Sequence, residues 1–338
     1  MILVDNYIGA ILCCVYCCLC WGSWANTQKM VTSKSWSFEL FYWDLTFGLF
    51  FTALLGALTL GSLGSEGRTF FEDLAVMDWN SMKYALLGGI VWNFGNIFLT
   101  AAIAVAGMSV GFPIGGGLAW IGGIIFNYLL ISLAGEIYPG NQTLLWIGVA
   151  VIVIAICICG KAYGKMSASQ ASTPKKGILL AIVAGLAIMF VYGLVVKSLN
   201  PQYVTGGTGT LTPYTGVFCF AAGVLITTPV FNTFAMSHPA QGNKVTMKDY
   251  LKGDTRTHLI GMLGGFIWMS GMVVSFMGAG SANPAIAYAL SNAAPVVAMI
   301  WGFFVWKEFK GAPKGTVPMI ATMFVLFVVG LVLITLSN

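Results

Sequence analysis

Ten blocks of mainly apolar sequence run along the chain, at about 7–25, 38–60, 83–105, 108–134, 143–163, 177–197, 213–235, 258–278, 283–306 and 316–336. A helix needs roughly 20 apolar residues to cross the hydrocarbon core of a bilayer. The pattern therefore predicts an all-α membrane protein with ten transmembrane helices. Polar stretches between the blocks are short, and none leaves room for a soluble domain. The tightest connection is Ala106-Gly107-Met108, between the third and fourth blocks.

Composition agrees. Of 338 residues, 58% are hydrophobic and 8% charged, against roughly 25% charged in a soluble domain. The net charge of +5 is carried by single Lys and Arg residues in loops, not by a cluster of the kind that binds nucleic acid. Thirteen of the sixteen lie after odd-numbered blocks, leaving Arg68, Lys83 and Lys197 on the other side. By the positive-inside rule this places both termini outside the cytoplasm, in a cell (inner) membrane. The first block lacks a basic n-region and a cleavage site, so it is expected to stay as a span. The eight Cys all fall in apolar stretches. Five share the first block, which favours packing over disulfides or a metal.

The chain repeats itself. Leu87-Gly88-Gly89-Ile90-Val91-Trp92-Asn93-Phe94-Gly95 in the third block matches Leu263-Gly264-Gly265-Phe266-Ile267-Trp268-Met269-Ser270-Gly271 in the eighth. Gly107-Met108-Ser109 parallels Gly280-Ser281, and Glu136 parallels Glu308. Residues 1–163 and 177–338 then form two five-helix repeats joined by a linker at 164–176. Because five is odd, the two repeats enter the membrane upside down relative to one another. Inverted repeats of this kind suit an alternating-access carrier with its site near the midplane.

No phosphate-binding motif accompanies them. Gly160-Lys161-Ala162-Tyr163-Gly164-Lys165 is one residue short of the Walker spacing and is followed by Met166. With no cofactor expected, a proton gradient is the candidate driving force. That needs an ionisable group at depth, where a charge costs at least ~2.5 kcal/mol. The second block supplies Asp44, about 9 Å from its start by helix rise, and Glu39. Either carries protons, or sits near the interface in a salt bridge, Glu39 with Lys29 or Lys34. Glu136 and Glu308 close their blocks and suit a structural role.

The remaining buried polarity is neutral. Trp92 and Asn96 share a helical face, with Asn93 beside them. Trp120 and Asn127 share another, Trp268 repeats Trp92, and Ser291 and Asn292 fall in the matching region of the ninth block. An aromatic plate with amide groups suits a small neutral polar solute, whereas an anion would call for Lys or Arg at depth. The competing roles are Asn as interhelical glue and Trp as an interfacial belt.

These residues resemble the drug/metabolite transporter superfamily, which has ten helices in two inverted repeats and a Gly-Glu motif closing the fourth and ninth. Gly135-Glu136 and Lys307-Glu308 stand at those positions, with Lys307 replacing Gly. Within it, Trp92-Asn93-Phe94-Gly95-Asn96, Ala106-Gly107-Met108-Ser109-Val110-Gly111 and Trp36-Ser37-Phe38-Glu39 are similar to the rhamnose–proton and glucose/ribose porters. Pro295-Val296-Val297 through Glu308-Phe309 resembles the ureide permeases. The resemblance implies proton-linked uptake of a sugar or ureide-like metabolite. A drug or metabolite exporter is the alternative, weakened because no acidic residue lies between Tyr7 and Asn26 in the first block.

Overall fold

The computed structural model describes residues 1–32, 36–133, 140–169, 174–204, 206–281 and 293–337; for 127, 130, 131, 133, 167–169 and 174 it describes the backbone alone. The described chain is helical. Its helices are α1 (Tyr7–Thr32), α2 (Phe38–Leu58), α3 (Trp79–Ala106), α4 (Met108–Phe126), α5 (Gln142–Met166), α6 (Lys175–Ser198), α7 (Pro213–Ser237), α8 (Thr255–Met277), α9 (Ala294–Val305) and α10 (Thr316–Leu336). Nine of these are long and apolar enough to cross a membrane; α9 is shorter. The first part of the block expected at 283–306 lies outside the described residues. Helical structure continues from α5 to Ser169, so the first half of the expected linker is helix.

Local chemistry sets the helix starts. Asn6, Asp78 and Asp254 each accept a backbone N–H three residues on, at 2.7, 2.9 and 2.8 Å, which satisfies donors that a first turn leaves free. Thr212 does the same before α7, where Pro213 needs no donor. Gly107, at φ 87°, lets α4 begin one residue after α3 ends.

Loops after odd-numbered helices gather at one end. There Lys165 Nζ donates to Lys314 O at 2.5 Å, Gln241 Nε2 to Ala104 O at 3.1 Å, and Lys176 to the Ala240 carbonyl. At the opposite end the Met1 ammonium donates to Glu66 O at 2.8 Å, and Arg68 Nη2 to Thr210 O at 2.5 Å. The first end holds most of the Lys and Arg and is called the basic end below.

The main helix pairs are α2 with α7 and α8, α3 with α6 and α7, α1 with α8 and α9, α4 with α6, and α5 with α10. Glycines set the closest approaches. A Cβ on Gly265 would stand 2.0 Å from Leu45 O, and one on Gly48 2.0 Å from Met262 O, so α2 and α8 touch backbone to backbone. Gly89 against Phe220 O (2.0 Å) and Gly223 against Leu86 O (2.3 Å) do the same for α3 and α7. Small residues at such crossings are how membrane helices pack without a hydrophobic driving force between them.

Candidate functional site: a tryptophan-walled cavity and its polar surroundings

A cavity of about 170 Å³ lies among α1, α3, α4, α6, α8 and the start of α9. It has room for on the order of ten waters, the scale of a small metabolite. Its wall is aromatic. Trp92 and Trp268 stand 4.3 Å apart between ring centroids, and Trp268 is stacked with Trp21 at 5.5 Å and with Phe220 at 5.9 Å. Trp21 Nε1 donates to Trp268 O at 3.2 Å, which locks that wall. Asn96, Ser275 and Tyr192 bring polar side chains to the lining. Trp24 and Phe112 pack edge to face at 6.0 Å on the side nearer the basic end. Val204 and Ala279 line the cavity towards the other end. The α4 wall passes through a π-helical turn at Phe112–Gly116, a wider turn often found at functional sites.

Of the residues singled out from sequence, Trp92, Asn96 and Trp268 line this cavity. Asn93 does not. It points to α7, where its amide donates to Val224 O (3.1 Å), Thr227 Oγ1 (2.9 Å) and Thr228 Oγ1 (3.2 Å), while Tyr42 OH donates to Asn93 Oδ1 at 2.8 Å. Trp120 is fully buried in a separate apolar cluster with residues of α5 and α10, its ring 6.2 Å from that of Phe327. Ser291, Asn292, Glu136 and Lys34 lie outside the described residues, as does the Asn127 side chain.

The two carboxylates of α2 have different surroundings. Asp44 is buried, and Tyr250 OH donates to its Oδ1 at 2.6 Å. His258 Nδ1 lies 2.8 Å from the same oxygen. A carboxylate oxygen only accepts, so this nitrogen carries the proton. Trp36 packs its edge on His258 at 5.4 Å. Burial first, then the Asp44 carboxylate, push the Tyr250 phenol up, which keeps it a donor. Glu39 is fully buried and neither carboxylate oxygen has a hydrogen bond of normal geometry; the Ser37 hydroxyl and the Ala240 amide stand loosely around it. Lys29 does not pair with it.

Lys29 pairs instead with Glu308. Lys29 Nζ lies 2.6 Å from Glu308 Oε1, and the same carboxylate accepts the Met108 and Ser109 amides at 2.8 and 2.7 Å. Trp301 Nε1 donates to Ser23 Oγ at 2.9 Å and Trp306 Nε1 to Asn26 Oδ1 at 2.7 Å. Together these tie the ends of α1 and α9 and the start of α4 below the cavity floor. Lys307, where the superfamily motif has Gly, takes φ 52°.

Tyr42, Tyr250 and His258 escaped the sequence reading. The available signal was that His258 is one of two histidines and lies just inside an apolar block, as Asp44 does.

Ten apolar helical segments, six of which wall an aromatic cavity, with no soluble domain among the described residues, define a multi-pass membrane permease. The profile of the ureide permease family matches residues 41–176 and 167–337, and the chain belongs to that family of transporters, which are not enzymes. It is 24% identical to ureide permease 1 and 25% to ureide permease 2 of Arabidopsis thaliana, each alignment covering 100% of this chain and 99% of the relative. It is also 24% identical to the probable ureide permease A3 of Vigna unguiculata, over 83% of this chain and 91% of that one. A solved crystal structure superposes with a TM-score of 0.52 at 16% identity, covering 95% of this chain and 94% of the other, a likeness of fold.

Proposed function

We propose that the protein takes up a small, neutral, ureide-like solute by proton-coupled alternating access, in a cell (inner) membrane with the basic end in the cytoplasm and both termini outside. The solute binds at Trp92, Trp268 and Asn96. The observation that carries this is the position of the cavity: it is walled by the repeat-related Trp92 and Trp268, and lies above the tie between Lys29 and Glu308.

Packing supports two inverted repeats, 1–163 and 177–338. Exchanging each helix of the first five for its counterpart in the second turns α1–α8 into α6–α3, α2–α8 into α7–α3, and α1–α9 into α6–α4, all pairs that exist. The pairs α2–α7 and α5–α10 map onto themselves. Gly89 and Gly265, matched in the sequence repeat, make equivalent close approaches.

The cavity chemistry favours a flat ureide-like ring over a sugar. Ring faces dominate the wall and polar side chains are few, whereas a polyhydroxylated solute needs many partners, since each buried unpaired polar group costs about 1–3 kcal/mol. The names of the relatives point the same way. No observation favours the exporter alternative. For coupling, Asp44 with His258 and Glu39 are the candidate proton groups, all near the basic end.

The test is uptake of labelled hydantoin, a cyclic ureide, into proteoliposomes. An inward proton gradient should accelerate it. Gradient-independent uptake that survives Asp44→Asn contradicts the coupling, and no uptake of any ureide contradicts the solute class.

A further inference from the structure

Counting protons through the buried chain that ends at Asn96 gives a direction to the cavity's main polar contact. The count starts on α7. Thr227 Oγ1 donates to Gly223 O at 2.8 Å and Thr228 Oγ1 to Val224 O at 2.8 Å. Each hydroxyl has one proton, so both offer only lone pairs to Asn93. The part of Asn93 facing them is therefore its NH₂, and its Oδ1 faces Tyr42. Tyr42 OH gives its single proton to that oxygen at 2.8 Å. What Tyr42 then offers Asn96, 3.5 Å away, is a lone pair. Asn96 accordingly turns its NH₂ to Tyr42 and leaves its carbonyl oxygen for the cavity it lines. The assignment follows from donor counting along the chain and does not depend on distinguishing O from N by position.

We infer that Asn96 is the specificity-determining contact of this permease, that it acts as a hydrogen-bond acceptor, and that Tyr42, held by Asn93, is the positioning residue that fixes it so. The site then selects solutes that present an N–H donor to Asn96 and rejects those in which that nitrogen is alkylated. Ser275 and Tyr192 do not set the direction, because a hydroxyl both donates and accepts. Trp21 adds none, its N–H being held by Trp268 O. The inference rests on the cavity being the solute site.

The experiment compares proteoliposome uptake of hydantoin with that of its 1-methyl and 3-methyl derivatives, each lacking one N–H. Wild type should discriminate against one of the two by at least about tenfold in uptake efficiency, since a site built for a donor rejects an analogue without it. Asn96→Leu should bring that ratio close to 1, and Asn96→Asp, which keeps an acceptor, should retain most of it. Tyr42→Phe frees the amide to turn, and the ratio should fall several-fold while hydantoin uptake continues. A purely structural role for Tyr42 would lower uptake of all three solutes together and leave the ratio alone. A ratio near 1 in wild type, or one unchanged by Asn96→Leu, overturns the inference and leaves the transport reading standing. Should Tyr42→Phe not survive solubilisation, the two Asn96 variants decide. Failure of wild type to take up any of the three overturns both.

Discussion

Lys29, near the end of α1, and Glu308, just beyond α9, stand 2.6 Å apart, and the Glu308 carboxylate also receives the first two amides of α4. One side chain thus joins three elements at the basic end. A Cβ on Gly107 would lie 2.7 Å from it, which explains a glycine there beyond its φ of 87°.

Loosening this tie should expose the cavity to the basic end. Glu308→Gln keeps the shape but loses the charge and one acceptor, a cost of about 2 kcal/mol to the closed arrangement. That is roughly a thirtyfold shift in population. The check is labelling of an Ala119→Cys variant by a membrane-impermeant maleimide, read at that peptide by mass spectrometry. Labelling from the basic side should rise at least tenfold with Glu308→Gln; an unchanged rate argues that the tie does not gate.

Asp44 and Glu39 should respond unequally to loss of charge. Asp44→Asn weakens the bonds from Tyr250 and His258 and should destabilise the protein by about 2–4 kcal/mol. Glu39 has no such partner, so Glu39→Gln should stay within about 0.5 kcal/mol of wild type. Thermal unfolding in detergent distinguishes them; equal losses would mean that Glu39 has a partner of comparable strength.

Lys307 holds a backbone conformation that costs a side chain roughly 1–2 kcal/mol and glycine nothing. After the greater chain entropy of glycine is deducted, Lys307→Gly should stabilise by about 0.5–1 kcal/mol. A lower unfolding temperature for the variant would count against the left-handed turn.

At the opposite end, the Thr210 hydroxyl foremost, then the Ser81 amide and hydroxyl, hold the Asp78 carboxyl down at about 2. Its unfolded value is about 3.9. Since the folded value is the lower, the stabilisation is complete above about pH 4 and is lost as pH falls through about 2. Hydrogen exchange at the Ser81 and Thr210 amides, corrected for intrinsic rates, should show protection at pH 5 that fades towards pH 2. Asp78→Asn should remove that dependence; a variant that still tracks pH in this range would point to another carboxyl.

The spans were legible because an apolar run long enough for a bilayer admits few other readings. Trp92 and Trp268 were legible through the repeat. Asn93 and Asn96 were not separable by composition. Three residues apart, they sit on neighbouring faces of α3, and only the approach of Gly89 to Phe220 decides which faces α7 and which the cavity. Trp120 looked like Trp92 in sequence, but its partner is Phe327 on a helix some 200 residues away. The Asp44–His258 pair likewise depends on α2 and α8 touching at Gly48 and Gly265, a long-range contact that no local pattern announces.

The most direct measurement fills the cavity. Ala119 lines it from α4 and is partly exposed there, so Ala119→Trp blocks the space without removing any hydrogen bond described above. Saturable hydantoin uptake by wild type, with at least a tenfold loss in this variant at an unchanged unfolding temperature, is the expected result. Wild-type uptake by the filled variant would mean that the solute crosses elsewhere.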